Sequence, residues 1–297
     1  MEKYLIINAD DFGMCHSANA AVSELLKKGA ITSATVMTPC PWAPEACRFA
    51  AANPGLAIGV HLTTTSEWKN YRWTPVSRGE VDSLLDSEGY MHHESDEFEK
   101  AADLEQTRRE LIAQIQRAAV LGLSNPSHLD NHMGSLYGIE TGRFEILQLA
   151  FDVAGEYKLP FRFPTEYLEG QFDNATLDIK INGELLDRLF EQFRQYAKAK
   201  GVATPDYLIP NEWNGPQNDS YENFREYMYE LYRSFPEGVT ETYSHPAMES
   251  EELKNISGVW HRRVWEYRFF NDPMTMQHIK ACGIKLINYR DLAEMRK

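Results

Sequence analysis

Short β-rich runs alternate with amphipathic helical stretches along the whole chain. Tyr4–Ala9 is apolar and β-branched, as expected of a buried strand, and Ser17–Lys28 repeats its apolar residues with a helical period. Further strands are predicted at Ile31–Met37, Leu56–Leu62, Ser127–Asp130, Phe161–Phe163, Tyr207–Ile209, Val239–Ser244 and Lys285–Tyr289. Helices are predicted between most of them, at Pro44–Ala52, Leu104–Leu121, Thr141–Tyr157, Glu184–Lys200, Ser220–Tyr232 and Met274–Ala281. Because strands that alternate with helices pair in parallel, about seven or eight such units predict an α/β fold, a closed or nearly closed parallel βα barrel.

The chain shows no linker-like change of composition, so we predict a single domain that covers residues 1–297. Residues 66–97 are polar, carry Trp and Tyr, and have no clear periodicity. We interpret this stretch as a loop insertion over one end of the barrel, where substrate loops belong.

The net charge of −14 disfavours nucleic acids and anionic membranes as partners, because both would be repelled. No apolar run approaches the length of about 20 residues that spans a bilayer, and the N-terminus lacks the features of a signal peptide. The four cysteines have no disulfide-framework spacing, which predicts a reduced, cytoplasmic protein. A homodimer is expected only from the general frequency of twofold assemblies. Glycine-rich nucleotide loops and the GxSxG elbow are missing from the sequence, so nucleotide-dependent and serine-hydrolase chemistry are disfavoured.

Acidic and imidazole side chains fall at the ends of several predicted strands. Asp10 and Asp11 end the first strand, His61 lies near the end of another, His128 lies on a short strand, and His245 follows a later one. In parallel barrels the carboxyl ends of the strands converge on one face, which is where active sites are built. We therefore expect these side chains to meet.

Adjacent carboxylates are costly because like charges raise each other's pKa. A divalent cation removes that cost if it binds one carboxylate of the Asp10–Asp11 pair and leaves the other free as a base. The alternative is that Asp10 and Asp11 cap the following helix. The tight exit at Phe12-Gly13 favours a site.

Three histidines are candidates for metal ligands or for contacts with a substrate. His61 interrupts a β-branched strand, and the alternative is a core histidine bonded to backbone. His128 and His132 lie four residues apart, the spacing of imidazole pairs that bind transition metals, and His132 is interpreted rather as a donor facing the substrate. Asp130 is expected to orient an imidazole by accepting its hydrogen bond.

The remaining candidates are an acid, a charge partner and an aromatic rim. Histidine is the residue type that most often serves as a general acid near neutrality, which makes His245 the candidate acid, although a histidine before proline is also typical of a surface turn. Arg162 is a charge within an apolar strand and needs an anion, for which Asp10 is the candidate. Trp68 and Trp213 are predicted to stack on a sugar, unless they pack within their own loops.

Four segments together resemble the YdjC/ChbG-like carbohydrate deacetylases. They are NADDFG at Asn8–Gly13, GVHL at Gly59–Leu62, SHLDNH at Ser127–His132 and SHP at Ser244–Pro246, and their order and spacing match along nearly the whole chain. The resemblance implies a distorted βα barrel related to the NodB polysaccharide deacetylases. It also implies removal of acetyl groups from N-acetylated sugars, including chitooligosaccharides.

The resemblance implies roles for individual residues as well. Asp10 is expected to be the base, Asp11, His61 and His128 the metal ligands, and His245 the acid. Many members carry a longer run of histidines where this chain has NHMG at residues 131–134, a departure that concerns the range of sugars more than the catalysis.

The expected protein is therefore a metal-dependent hydrolase that deacetylates N-acetylglucosamine-containing mono- or oligosaccharides. The resemblance implies one Mg²⁺ ion, whereas one carboxylate with two imidazoles also suits Zn²⁺ or another transition metal. Two alternatives stay open: hydrolysis of another bond in a phosphorylated disaccharide, and a non-catalytic sugar-binding regulator.

Overall fold

A parallel β-sheet forms the centre of the protein. The computed structural model describes residues 2–168 and 183–297. Within these residues the sheet has seven strands in the order β4-β3-β2-β1-β6-β5, and β7 pairs with β1 beside that path. The strands are β1 (Lys3–Phe12), β2 (Ser33–Val36), β3 (Ala57–Leu62), β4 (Leu129–Asn131), β5 (Tyr207–Leu208), β6 (Gly238–Ser244) and β7 (Ile284–Leu286). All of these pairings are parallel, as the alternation of strands and helices predicted.

Helices connect the strands and cover the outside of the sheet. They are α1 (His16–Lys28), α2 (Ala43–Ala52), α3 (Ser95–Ala101), α4 (Leu104–Leu121), α5 (Glu145–Tyr157), α6 (Gly183–Ala199), α7 (Tyr221–Ser234), α8 (Glu251–Ile256), α9 (Trp260–Asn271), α10 (Pro273–Ala281) and α11 (Tyr289–Met295). None of the helices in the described part of the chain is long and apolar enough to cross a membrane.

The sheet curls into a distorted barrel that one short segment nearly closes. At the edge strand β4, Leu129 donates its N–H to Pro160 O, and Arg162 donates its N–H to Leu129 O. Phe161 in turn donates to Ala203 O, just before β5 at the opposite edge. The strand predicted at Phe161–Phe163 is thus reduced to a single bridge, between Leu129 and Phe161. The parallel pairing of the strands, together with this near-closure, confirms the expectation of a distorted parallel barrel.

Strand β1 runs through the centre, and its two faces have different neighbours. Leu5, Ile7 and Ala9 belong to the large apolar core beneath the helices. Successive side chains of a strand point to opposite faces. Asn8 and Asp10 therefore lie on the other face of β1 and point into the barrel. The barrel interior is therefore polar at the carboxyl end of β1.

Helices α9 and α11 are two of the helices that the sequence did not predict. The strand predicted at Lys285–Tyr289 ends at Leu286, because the side chain of Asn288 accepts hydrogen bonds from the N–H groups of Arg290 and Asp291 and begins α11. Helix α9 escaped prediction because its apolar and charged residues are spread around the helix without a single apolar face. Both helices carry residues that reach the site described below.

Candidate functional site

A bulge in β1 gives the two adjacent aspartates different surroundings. The register between β1 and β2 shifts between Ala9 and Phe12, and Asp11 has a φ of +60°. A non-glycine residue in this left-handed conformation costs about 1–2 kcal/mol, and such residues cluster at functional sites. The bulge turns the buried side chain of Asp11 away from that of Asp10.

Asp10 is held by an arginine inside the barrel. Arg162 Nη1 and Nη2 each donate to one oxygen of Asp10 at 2.7 Å, and Asn8 Nδ2 donates to Asp10 Oδ1 at 2.9 Å. All three residues are buried. The predicted pairing of Arg162 with Asp10 is present, and the bidentate geometry fixes the plane of the carboxylate.

Asp11 faces a cation on one side and two imidazoles on the other. Its Oδ2 lies 2.7 Å from Arg263 Nη2, whereas its Oδ1 lies 3.6 Å from His61 Nε2 and 3.4 Å from His132 Nδ1. Burial alone would raise the pKa of Asp11, but Arg263, His132 and His245 outweigh it and hold that pKa well below its ordinary value. Neither carboxylate oxygen accepts a well-directed hydrogen bond from the described residues, so Asp11 has capacity for a ligand.

His61 is oriented by Asp130. The two residues are register partners on β3 and β4, and His61 Nδ1 lies 2.7 Å from Asp130 Oδ1. A carboxylate only accepts, so Nδ1 carries the proton and Nε2 is left to face Asp11. Burial lowers the pKa of His61, but Asp130, Asp10 and Asp11 more than compensate and raise it. Asp130 thus has the orienting contact that the sequence predicted.

His132 has the same arrangement with a different carboxylate. Its Nε2 lies 2.9 Å from Glu67 Oε2, which leaves Nδ1 directed at Asp11. The rings of His61 and His132 meet edge to face at a centroid distance of 5.3 Å. Burial opposes protonation of His132, but Glu67 and Asp11 outweigh it and raise its pKa to about 10. The carboxylates of Glu67 and Asp11 thus favour a positive charge beside them.

Among the described residues, two groups of side chains bring three potential ligand atoms within 4.8 Å of one another. The first comprises Asp11, His61 and His132, and its oxygen and two imidazole nitrogens suit a divalent metal. Each imidazole donates its other N–H to a carboxylate, as metal-bound histidines usually do. In the second group, Asp10, His61 and Asp130, both carboxylates already pair with Arg162. The residues therefore fit one metal ion at the first group.

The predicted ligand His128 is not part of either group, whereas His132 belongs to the first. Asn8 uses its amide N–H groups on Asp10, Thr35 and Asp130, so its Oδ1 accepts from His128 Nε2 at 3.2 Å. His128 Nδ1 lies 2.8 Å from the Ser127 hydroxyl and accepts from it. Burial lowers the pKa of His128 to about 3, which keeps the ring neutral. Both nitrogens of His128 are therefore occupied, and His132, interpreted from the sequence as a donor facing the substrate, lies in the first group of candidate ligands.

His245 lies beside this centre, at the rim of a cavity. The β1–β6 register pairs Ala9 with Ser244, which brings His245 to the same edge as Asp10. The cavity of about 270 Å³ is lined by His245, Arg263 and residues that include Trp213, Tyr243 and Glu266. Glu266 accepts the backbone N–H of His245 at 2.7 Å, which fixes the loop.

The two predicted sugar-stacking tryptophans are largely engaged within the protein. Trp68 packs against Tyr71 and Trp73, and Arg263 lies over its ring at 5.6 Å. Trp213 is stacked on Phe224 with centroids 4.7 Å apart. Packing within the protein, the alternative considered above, describes Trp68, while Trp213 also presents part of its surface to the cavity.

Four functional candidates were missed in the sequence. Glu67 lies in the aperiodic insertion, and Arg263 lies on α9, so no pattern pointed to either. Asn8 precedes the acidic pair but resembles an ordinary strand residue, and Glu241 is a carboxylate within β6. A charge in the middle of a buried strand was the one usable signal, and it applied to Glu241 as it did to Arg162.

The model of the YdjC-like protein family matches residues 4–281. A carbohydrate deacetylase of Thermoanaerobacter pseudethanolicus is 29% identical over 288 residues, 97% of this chain and 98% of the relative. A carbohydrate deacetylase of Enterococcus faecalis is 32% identical over 292 residues, 98% of each chain. A crystal structure from Enterococcus faecalis, described as a candidate cellobiose-phosphate cleavage protein, is 30% identical with a TM-score of 0.73, and the match covers 98% of this chain and 99% of that one. The resemblance drawn from the four segments is confirmed, and this chain belongs to the family of YdjC-like proteins.

Proposed function

We propose that this protein is a carbohydrate deacetylase that hydrolyses the acetamide of an N-acetylated sugar with the help of one divalent cation. The relatives named carbohydrate deacetylase support the reaction class. One observation carries the proposal: the Asp10–Asp11 pair is divided, with Asp10 fixed by Arg162 and Asp11 directed at two imidazoles that are themselves held by carboxylates.

Asp11, His61 and His132 would hold the cation. When bound, it would supply a Lewis acid that polarises the acetyl carbonyl and lowers the pKa of water. One carboxylate with two imidazoles favours Zn²⁺, Mn²⁺, Fe²⁺ or Co²⁺ on ligand grounds, although the family resemblance implies Mg²⁺. His61 Nδ1 and His132 Nε2 keep their protons on Asp130 and Glu67, which orients both rings towards Asp11.

Asp10 acts as the general base on the attacking water. Its carboxylate cannot swing away, because Arg162 holds both oxygens and Asn8 holds one of them. A base held in one orientation takes a proton from water with little reorganisation, which is where such positioning contributes to the rate.

His245 donates the proton to the departing amine of the sugar. It lies at the same edge of the sheet as Asp10, one residue beyond the strand pairing of Ala9 with Ser244. The cavity beside His245, at about 270 Å³, is slightly smaller than typical ligand pockets of about 300–1,000 Å³, a size that suits one sugar ring. Arg263 Nη1 is buried without a hydrogen-bond partner among the described residues and is placed to donate to a sugar oxygen.

Acetate release tests the proposal directly. The panel comprises N-acetylglucosamine, its 6-phosphate and N,N′-diacetylchitobiose, each with Zn²⁺, Mn²⁺, Co²⁺ or Mg²⁺ and with chelator. We expect acetate from at least one sugar, lost with chelator and restored by metal. Asp10→Asn should keep the affinity for metal and abolish turnover, whereas substantial acetate release by that variant would remove Asp10 as the base.

Cellobiose 6-phosphate belongs in the same panel as a sugar without an acetamide, because one homologous structure is described in terms of cellobiose-phosphate cleavage. A deacetylase leaves it intact. Release of glucose from it, without acetate from any N-acetylated sugar, would replace our proposal by hydrolysis of a glycosidic bond. Sugar binding that neither chelation nor Asp10→Asn alters would indicate a non-catalytic regulator.

A further inference from the structure

Arg162, which orients the proposed base, is itself surrounded by carboxylates. Besides the two hydrogen bonds to Asp10, its Nη2 lies 2.9 Å from Asp130 Oδ2, and its Nε donates to Glu241 Oε1 at 2.8 Å. The guanidinium is 2% exposed, so these contacts are made away from bulk water. The Nε contact matters most for geometry, because it anchors the side of the fork that does not touch Asp10.

Glu241 is held in turn by the last helix of the chain. It lies on β6, is fully buried, and accepts a hydrogen bond from the Tyr289 hydroxyl at Oε2, the oxygen that Arg162 does not use. Tyr289 is the first residue of α11 and is itself fully buried. Glu241 therefore bridges the helix and the arginine through separate oxygens.

The ring of Tyr289 also connects Glu241 with the residues on the other side of Asp10. It stacks on His128 with centroids 3.7 Å apart and an interplanar angle of 8°. His128 donates to Asn8 Oδ1, and Asn8 Nδ2 donates to Asp10 Oδ1. A closed ring of contacts thus runs from Asp10 through Arg162, Glu241, Tyr289, His128 and Asn8 back to Asp10.

This closed set of contacts gives a role to the fully buried carboxylate of Glu241, which hydrogen-bonds to Arg162 and Tyr289. A buried guanidinium without a partner at Nε would carry an unsatisfied donor, and Arg162 would then be held only at Nη1 and Nη2, by Asp10 and Asp130. Rotation of the guanidinium would break one of the two hydrogen bonds to Asp10 and leave the proposed base in several orientations. A loss of about 1 Å in such placement is costly for a reaction rate even where binding is unaffected.

We propose that Glu241 and Tyr289 are positioning residues for the Asp10 base, acting through Arg162 on one side and through His128 and Asn8 on the other. The inference rests on the proposed role of Asp10, and it gives the C-terminal helix α11 a part in the reaction. The hydrogen bonds and the ring contact described above for Glu241 and Tyr289 do not involve Asp11, His61 or His132. Their loss should therefore alter turnover without altering the affinity for metal.

Glu241→Gln and Tyr289→Phe test the inference, with Tyr232→Phe as a matched control. Tyr232 is also fully buried, and its hydroxyl has no hydrogen-bond partner among the described residues. For both test variants we expect kcat for acetate release to fall about 10- to 100-fold, while KM and the dissociation constant of Zn²⁺, measured by calorimetry, stay within about twofold. Tyr232→Phe should leave kcat, KM and the dissociation constant of Zn²⁺ unchanged.

A merely structural role would lower stability and metal affinity together. A loss of Zn²⁺ affinity as large as the loss of kcat would therefore overturn the inference. Unchanged kcat in both test variants would overturn it as well. If Glu241→Gln does not fold, Tyr289→Phe decides, because it keeps the ring stacked on His128.

Crystal structures of the variants keep this test separate from the proposed function. If the wild-type protein releases no acetate from any sugar, the proposed function fails, but the geometry of Asp10 can still be observed. A rotated Arg162 with one hydrogen bond to Asp10 lost supports the inference. Retention of both bonds in Glu241→Gln and Tyr289→Phe contradicts it.

Discussion

Exchange of each of two histidines for glutamine distinguishes the ligand set proposed from the structure from the one that the family resemblance implies. His132 directs Nδ1 at Asp11, whereas both nitrogens of His128 are occupied by Ser127 and Asn8. His132→Gln should therefore lose metal affinity, and His128→Gln should keep it. Because both variants make the same chemical change four residues apart, each is the control for the other.

The two variants should lose different properties: His132→Gln loses metal affinity, and His128→Gln loses stability. Four-ligand structural zinc sites bind with about 10–16 kcal/mol, so one ligand contributes about 3 kcal/mol, or roughly 10²-fold in the dissociation constant. His128→Gln removes a fully buried ring stacked on Tyr289, which should lower the free energy of unfolding by about 1–3 kcal/mol. Glutamine retains a donor and an acceptor for Asn8 and Ser127, which keeps this cost moderate.

Competition with a chelating dye measures the affinity for Zn²⁺ and Mn²⁺, and urea unfolding of the metal-free proteins measures stability. We expect His132→Gln to weaken both metals roughly 10²-fold. His128→Gln should bind them within about threefold of wild type and unfold at a lower urea concentration. If His128→Gln loses the metal and His132→Gln keeps it, the ligand set proposed from the structure is refuted.

Three further predictions concern the neighbours of the metal centre. Asp130→Asn should weaken metal binding about 10- to 100-fold by chelator competition, because His61 loses the carboxylate that orients it. Burial raises the pKa of Glu241 to about 7 from 4.5, against the opposing effects of Arg162 and Tyr289 and with Asp130 adding to the rise. An acid with a raised pKa contributes full stability below the unfolded value and loses it as pH rises, so the free energy of unfolding of wild type relative to Glu241→Gln should fall by about 3 kcal/mol between about pH 4 and pH 8. Gly59→Ala would place a Cβ 2.4 Å from His128 O, so it should cost about 1–3 kcal/mol or more in urea unfolding and displace His61 on the same strand.

The regular pattern of the chain was enough to predict the layered βα architecture. Hydrophobic periodicity reports burial on one or two faces of an element, so β1, β3, β6 and most helices were located within a few residues. The same signal fails where local capping decides the outcome. Tyr289 follows an apolar run that resembles a strand, but Asn288 caps a helix there, and this places the tyrosine against His128.

The choice between His128 and His132 shows why the site was only partly predictable. Both histidines lie in one short segment, and spacing along the chain places both near the strand end without saying which nitrogen is free. The decision depends on Asn8, 120 residues earlier, whose amide N–H groups are taken by Asp10, Thr35 and Asp130 and whose oxygen therefore has to accept from His128.

The same reasoning covers Glu67, which fixes His132 from an insertion without periodicity. Residue types at strand ends thus predict that a metal centre exists. The hydrogen bonds made by each ring's second nitrogen decide which imidazole is free to bind, and those bonds come from parts of the chain that no local pattern connects.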